Sequence, residues 1–98
     1  MKNILVNYEI ISGESSTMCC RPFKLNGKEP EEVIHSHFVK FWEDKTEKIE
    51  KGARYFHENW EQVVKIGLVQ GISDEKFEKV SSLSLEDEDL YAHLSSGI

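Results

Sequence analysis

Residues 4–11, which read Ile-Leu-Val-Asn-Tyr-Glu-Ile-Ile, carry the clearest structural pattern in this chain. Every second side chain from Ile4 to Ile10 is apolar, whereas Asn7 and Glu9 lie on the opposite face. A period of two, combined with several β-branched side chains, is typical of a half-buried strand. The sequence therefore predicts that the chain begins with a β-strand.

A turn and a second strand are expected next. Residues 12–16 are rich in serine and glycine, and residues 17–25 are able to return as a strand. Pro22 has no N–H to donate, so this second strand is predicted to be an edge strand or to contain a bulge. Asn26-Gly27 is a turn signal that closes the unit. Residues 1–27 are thus predicted to form an antiparallel β-hairpin.

Residues 28–71 are predicted to be a helical core that begins at Pro30, a residue suited to the first helical position. One continuous helix would be roughly 60 Å long, against about 27 Å for strands of eight residues. The helix is therefore expected either to break near Gly52 into a helical hairpin, or to stay long and be covered by a second chain. The prediction rests on a largely apolar stripe with steps of three or four residues, apart from a polar gap at Lys45. The stripe consists of Val33, Ile34, His37, Phe38, Phe41, Trp42, Ile49, Ala53, Phe56, Trp60, Val63, Val64, Gly67 and Leu68.

Residues 72–98 are predicted to form one or two short acidic helices. Ser73 resembles an N-cap for a helix that ends near Ser82. Ser84 with Asp87 three residues later resembles a capping box for a second helix. The whole chain, residues 1–98, is thus predicted to be a single α+β domain. In it the N-terminal hairpin packs on a long amphipathic helix or helical hairpin.

Charge is distributed unevenly along the 98 residues. The chain has 12 basic and 18 acidic side chains, a formal net charge of −6. Residues 50–98 hold 10 acidic and 5 basic side chains, whereas residues 1–49 hold 8 and 7. Such acidity disfavours direct binding to nucleic acid, since that depends on basic side chains that neutralise phosphates.

No apolar run approaches the length of about 18 residues that spans a membrane, so a cytoplasmic protein is expected.

The acidic run Glu86-Asp87-Glu88-Asp89 is predicted to bind a partner protein with a basic surface. Trp42 and Tyr55 lie at the margins of the apolar stripe and are predicted to supply aromatic contacts. The leading hypothesis is a small, acidic, non-enzymatic protein-binding domain. By analogy with small proteins of phages and mobile elements, it would inhibit a partner by occluding a nucleic-acid-binding surface. The ordinary explanation of the run is solubility and a favourable interaction with the helix dipole.

Two alternatives remain open at the level of sequence. Cys19 and Cys20 are neighbours on a predicted strand, so one is expected to face the core and the other solvent or a partner. Together with a histidine, the two cysteines would form a thiol or metal site. The other alternative is a structural homodimer through the helical stripe. No metal-binding or catalytic motif supports an enzyme, a cofactor or a metal, and none is predicted.

Overall fold

The computed structural model describes residues 2–42, 54–57 and 62–96. Seven elements follow one another in these ranges: β1 (Asn3–Ser12), β2 (Ser15–Lys24), α1 (Pro30–Trp42), β3 (Arg54–His57), β4 (Gln62–Ile72), α2 (Asp74–Ser82) and α3 (Asp87–Ser95). The α+β class expected from the sequence is confirmed. No helix in the described ranges is long and apolar enough to cross a membrane.

The four strands form one antiparallel sheet in the order β2-β1-β4-β3. The N-terminal strand β1 is therefore an inner strand, paired with β2 on one side and with β4 on the other. The β1–β2 hairpin closes through a two-residue loop between Ser12 and Ser15. Gly13 takes the first loop position with a φ of 61°, which is the position where a type II′ turn requires positive φ.

The sheet separates two hydrophobic clusters, because neighbouring side chains on a strand point to opposite faces. The α1 face of the sheet carries the larger cluster, to which α1 contributes Ile34 and Phe38. Its remaining buried members are Ile4, Val6, Tyr8, Cys19, Phe23, Leu25, Val64 and Ile66. The α2–α3 face carries the smaller cluster, formed by Leu5, Cys20, Val80 and Leu90. Helices thus cover both faces of the sheet.

The long helical core predicted for residues 28–71 is wrong. Helix α1 covers 13 residues, Pro30–Trp42, and β3 and β4 follow it in the same stretch. The apolar positions of residues 62–72 fit both a helical and a strand spacing, because the two periods coincide over short windows. Val64 and Ile66 are buried on either side of exposed Lys65, which is the alternation of a strand. The predicted break near Gly52 lies outside the described residues.

A bulge in β4 allows this strand to serve both clusters. Val6 pairs with Val69 and Tyr8 with Ile66, so one extra residue of β4 lies between these two pairs. An extra residue exchanges the faces to which the following side chains point. Ile72 consequently packs on the α2–α3 cluster, although Ile66 belongs to the α1 cluster.

The predicted start of α1 is confirmed and that of α3 is corrected. Helix α1 begins at Pro30, with Glu31 and Glu32 in its first turn. Helix α2 has Ser73 as its N-cap, whose side chain accepts a hydrogen bond from the Lys76 N–H at 3.1 Å. The capping box predicted at Ser84 is not formed, since α3 begins at Asp87 and its N-cap is Glu86.

Candidate partner-binding surface

The four acidic residues predicted to bind a partner lie together at the start of α3, where they do not all point the same way. Glu86, Glu88 and Asp89 are exposed, whereas Asp87 is partly buried.

Trp42 is the last residue of α1 and Tyr55 lies in β3. The side chains of these two aromatic residues lie outside the described part of the chain. Their role stays a prediction.

Asp87 joins α3 to the two strands of the hairpin. The Arg21 Nη1 group donates to Asp87 Oδ1 at 3.2 Å, and the Tyr8 hydroxyl donates to Asp87 Oδ2. The Asp87 side chain is 19% exposed and that of Arg21 43%. Hydrogen bonds to an ionised carboxylate are stronger than those between neutral groups. Asp87 therefore fixes the start of α3 against β1 and β2.

The Tyr8 hydroxyl acts as a permanent donor in this contact. Burial raises the pKa of Tyr8 well above its usual value, and both the hydrogen bond to Asp87 and the charge of Asp87 raise it further. Each effect disfavours the phenolate, since a negative charge there would be poorly solvated and close to a carboxylate. The hydroxyl consequently keeps its proton at neutral pH and well above it.

The inward position of Asp87 determines where its neighbours point. Leu90 is the buried residue of α3, and Glu88 and Asp89, which lie between Asp87 and Leu90 in the helix, point toward solvent. Glu86 precedes the helix and is exposed as well. We call Glu86, Glu88 and Asp89, together with the preceding Leu85, the acidic corner. Leu85 is 40% exposed, so the corner combines three carboxylates with an apolar side chain.

A cleft of about 650 Å³ opens beside the acidic corner. Its aromatic wall comes from Phe38, whose ring lies edge-on to Tyr8 and to His37, both with 5.0 Å between ring centroids. Leu85 and Glu86 of the corner also line the cleft. The remaining lining residues are Ile10, Arg21 and Asp87. Phe38 and Tyr8 are 2% and 6% exposed, so the accessible apolar part of the cleft is Leu85 with the half-buried Ile10, beside the carboxylate of Glu86.

No family model, no curated protein and no solved structure matches this chain.

The expectation that one of the two cysteines faces solvent or a partner is wrong. Cys19 is 3% exposed and belongs to the α1 cluster, whereas Cys20 is 1% exposed and belongs to the α2–α3 cluster. The two side chains do point to opposite faces of the sheet, as predicted. The second face is covered because Val80 and Leu90 pack over it.

The chemistry of the two thiols follows from this burial. Burial, and after it the negative charge of Asp87, raises the pKa of each thiol to about 11. A thiol with a raised pKa is a poor nucleophile near neutral pH, because the thiolate is the reactive form. The two sulfur atoms also lie on opposite faces of the sheet, so they cannot bind one ion together. No group of three His, Cys, Asp or Glu residues suited to a metal occurs within ranges 2–42, 54–57 and 62–96.

Sequence reasoning missed the cleft and the residues that join it to the acidic corner. Tyr8 and Arg21 lie 79 and 66 positions before Asp87 in the chain. No local pattern links residues so far apart. The sequence also does not predict that Leu85 is exposed, because a leucine next to a helix is expected to pack in the core.

Proposed function

We propose that this chain is a protein-binding domain whose acidic corner and adjacent cleft engage a basic surface of a partner. The observation that carries the proposal is the inward anchoring of Asp87, which holds Glu86, Glu88 and Asp89 exposed on an ordered helix start. Ordered charges lose less conformational entropy on binding than charges on a flexible tail. The corner therefore presents a fixed pattern of three carboxylates.

The cleft gives this surface a means of specific recognition. Carboxylates at the rim of an interface mainly steer approach and select the partner's charge. Affinity comes from desolvated contacts near the centre, often with arginine or aromatic side chains. We propose that one lysine or arginine of the partner lies over the rim of the cleft, with its charged end near Glu86 and its stem against the exposed Leu85 and the half-buried Ile10.

The consequence for the partner would be occlusion of its basic surface. A basic surface that binds nucleic acid does so by neutralising phosphates. A domain with ordered carboxylates would compete for the same lysines and arginines. The proposed function is thus inhibition of a basic partner protein, without enzymatic activity and without a cofactor.

The test is capture of partner proteins from a cell lysate by the immobilised domain. The variant Glu86→Lys/Glu88→Lys/Asp89→Lys should lose the captured protein, at least tenfold by quantitative mass spectrometry. Capture by the wild-type domain should also fall at high salt, because salt screens exposed charges. Asp87 is left intact in this variant, so that the anchor of α3 is preserved.

A matched control separates the corner from general acidity. The variant Glu14→Lys/Glu29→Lys/Glu78→Lys makes the same change in net charge at exposed positions outside the corner and the cleft. It should capture the partner as the wild-type domain does. Equal loss in both variants would show that overall charge, and not the acidic corner, determines binding.

A further inference from the structure

A second concave surface lies between α2 and α3, with a volume of about 510 Å³. We call it the α2–α3 groove. Val80 and Leu94 lie in it beside Leu83, which is 40% exposed. Lys76, Lys79 and His93 add basic side chains. Ser73 and Glu75 complete the lining.

The charge of the groove is opposite to that of the chain around it. Residues 50–98 contain 10 acidic and 5 basic side chains, and two of those five, Lys76 and Lys79, line the groove. Glu75 is the one acidic residue among its lining residues. An apolar surface beside two lysines suits a segment in which an apolar side chain is followed by carboxylates. The acidic corner of this same protein has that composition.

We propose that the acidic corner of a second copy of this chain occupies the α2–α3 groove, so that two copies form a two-fold dimer. Asp89 lies four residues before His93, which places both on the same side of α3. The Asp89 end of the acidic corner therefore adjoins the groove, whereas Leu85 and Glu86 line the cleft. A two-fold axis brings two such surfaces together so that each corner meets the other copy's groove, as an isologous contact requires.

The dimer is expected to be weak. Exposed lysine–carboxylate pairs contribute little affinity each, and the groove holds few apolar side chains. We therefore expect a dissociation constant on the order of 0.1–1 mM. The contact should weaken with added salt, since lysine–carboxylate pairs at a surface are screened.

The test is a charge exchange followed by sedimentation velocity and NMR at concentrations up to about 2 mM, above the expected dissociation constant. The wild-type protein should dimerise as concentration rises, with shifts in the amide resonances of Lys76, Lys79 and His93. The variants Lys76→Glu/Lys79→Glu and Glu88→Lys/Asp89→Lys should each remain monomeric. An equimolar mixture of the two variants should dimerise again, because both corner–groove contacts then join opposite charges.

The control variant Lys28→Glu/Lys65→Glu changes net charge as Lys76→Glu/Lys79→Glu does, at exposed positions outside the groove. It should dimerise like the wild type. A wild-type protein that stays monomeric over this range, or a mixture of the two variants that stays monomeric, would overturn the proposal. Circular dichroism of each variant checks that the fold is retained.

This inference goes beyond the proposed function, and the two fail separately. Capture by a sparsely immobilised domain uses single copies. Lys76→Glu/Lys79→Glu should therefore still capture the basic partner while losing the dimer. A wild-type protein that stays monomeric but captures the partner would overturn the dimer alone, and a wild-type protein that dimerises but captures no partner would overturn the proposed function alone.

Discussion

Asp87 shows how one residue of an acidic run takes a different role from its neighbours. Its carboxylate receives hydrogen bonds from Arg21 and Tyr8, whereas Glu86, Glu88 and Asp89 remain exposed. A partly buried carboxylate is stable only when its oxygen atoms have donors, because burial removes its hydration. The run looks uniform in the sequence, but Asp87 is structural and the other three residues are available for binding.

Removal of the Tyr8 hydroxyl tests this anchor. Tyr8→Phe leaves Asp87 Oδ2 without its donor in a partly buried place, and such a loss costs about 1–3 kcal/mol. We expect the free energy of unfolding, measured by urea denaturation, to fall by that amount. Binding through the acidic corner should weaken as well, because the start of α3 is held less firmly.

Tyr91→Phe serves as the matched control for Tyr8→Phe. Tyr91 is a half-buried tyrosine of α3 that packs beside the smaller cluster. Its change to phenylalanine should alter stability by no more than about 0.5 kcal/mol. Equal effects of the two substitutions would show that the Tyr8–Asp87 hydrogen bond contributes nothing specific.

Strand β4 shows how one element can serve two cores. Its first part places Val64 and Ile66 on the α1 face, and the bulge then turns Ile72 toward the α2–α3 face. Gly67 lies at this irregularity. A Cβ atom built there would be 3.3 Å from the backbone oxygen of Asn7 in the paired strand. The close approach of the two backbones explains a glycine inside a strand.

Gly67→Ala tests this close contact. The added methyl group meets backbone and not a flexible side chain, so the inner strand β1 must shift. Overpacking of this kind costs about 1–3 kcal/mol. We expect a corresponding loss in thermal stability by calorimetry, together with shifts in the amide resonances around Asn7.

Gln70→Ala provides the comparison within the same strand. Gln70 is exposed, so its truncation should change stability by less than about 0.5 kcal/mol. If Gly67→Ala proves equally neutral, the close approach of β4 to β1 does not restrain residue 67.

At the scale of the whole molecule, the two clusters on opposite faces of the sheet share the strands β1 and β2. Each cluster contains one of the neighbouring cysteines. Unfolding of either cluster therefore exposes a thiol whose pKa is about 11 in the folded protein. The ordinary pKa of an unfolded cysteine is about 8.5. The pH dependence of stability thus reports on both clusters.

We expect the free energy of unfolding to fall as pH rises from about 8.5 toward 10. The raised thiol pKa values contribute stability that is complete below about pH 8.5 and is lost as pH approaches 11. In this window the unfolded chain releases thiol protons that the folded chain retains. Each cysteine contributes up to about 1.4 kcal/mol per pH unit. Urea denaturation at several pH values measures the slope.

Single substitutions divide this slope between the clusters. Between about pH 8.5 and 9.5, below the ordinary tyrosine pKa of about 10, Cys19→Ala and Cys20→Ala should each reduce the slope by about half, whatever their effect on stability at neutral pH. This result requires that both clusters unfold in one transition. A slope that only one substitution changes would mean that the other cluster does not take part in the measured transition.

The sequence determined those parts of the protein that depend on neighbouring residues. The alternation in residues 4–11, the turn at Asn26-Gly27 and the N-cap Ser73 are local signals, and β1, the start of α1 and the start of α2 agree with them. Each such signal depends on contacts within a few residues, so no knowledge of the rest of the chain is needed.

Tertiary structure decided the remainder. Residues 62–72 have apolar spacing that suits either a helix or a strand, and pairing with β1 selects the strand. Both cysteines are buried because α2 and α3 cover the second face of the sheet. Asp87 turns inward because Tyr8 and Arg21, distant in sequence, supply the donors that its carboxylate needs. These outcomes depend on contacts between distant parts of the chain, which no local pattern encodes.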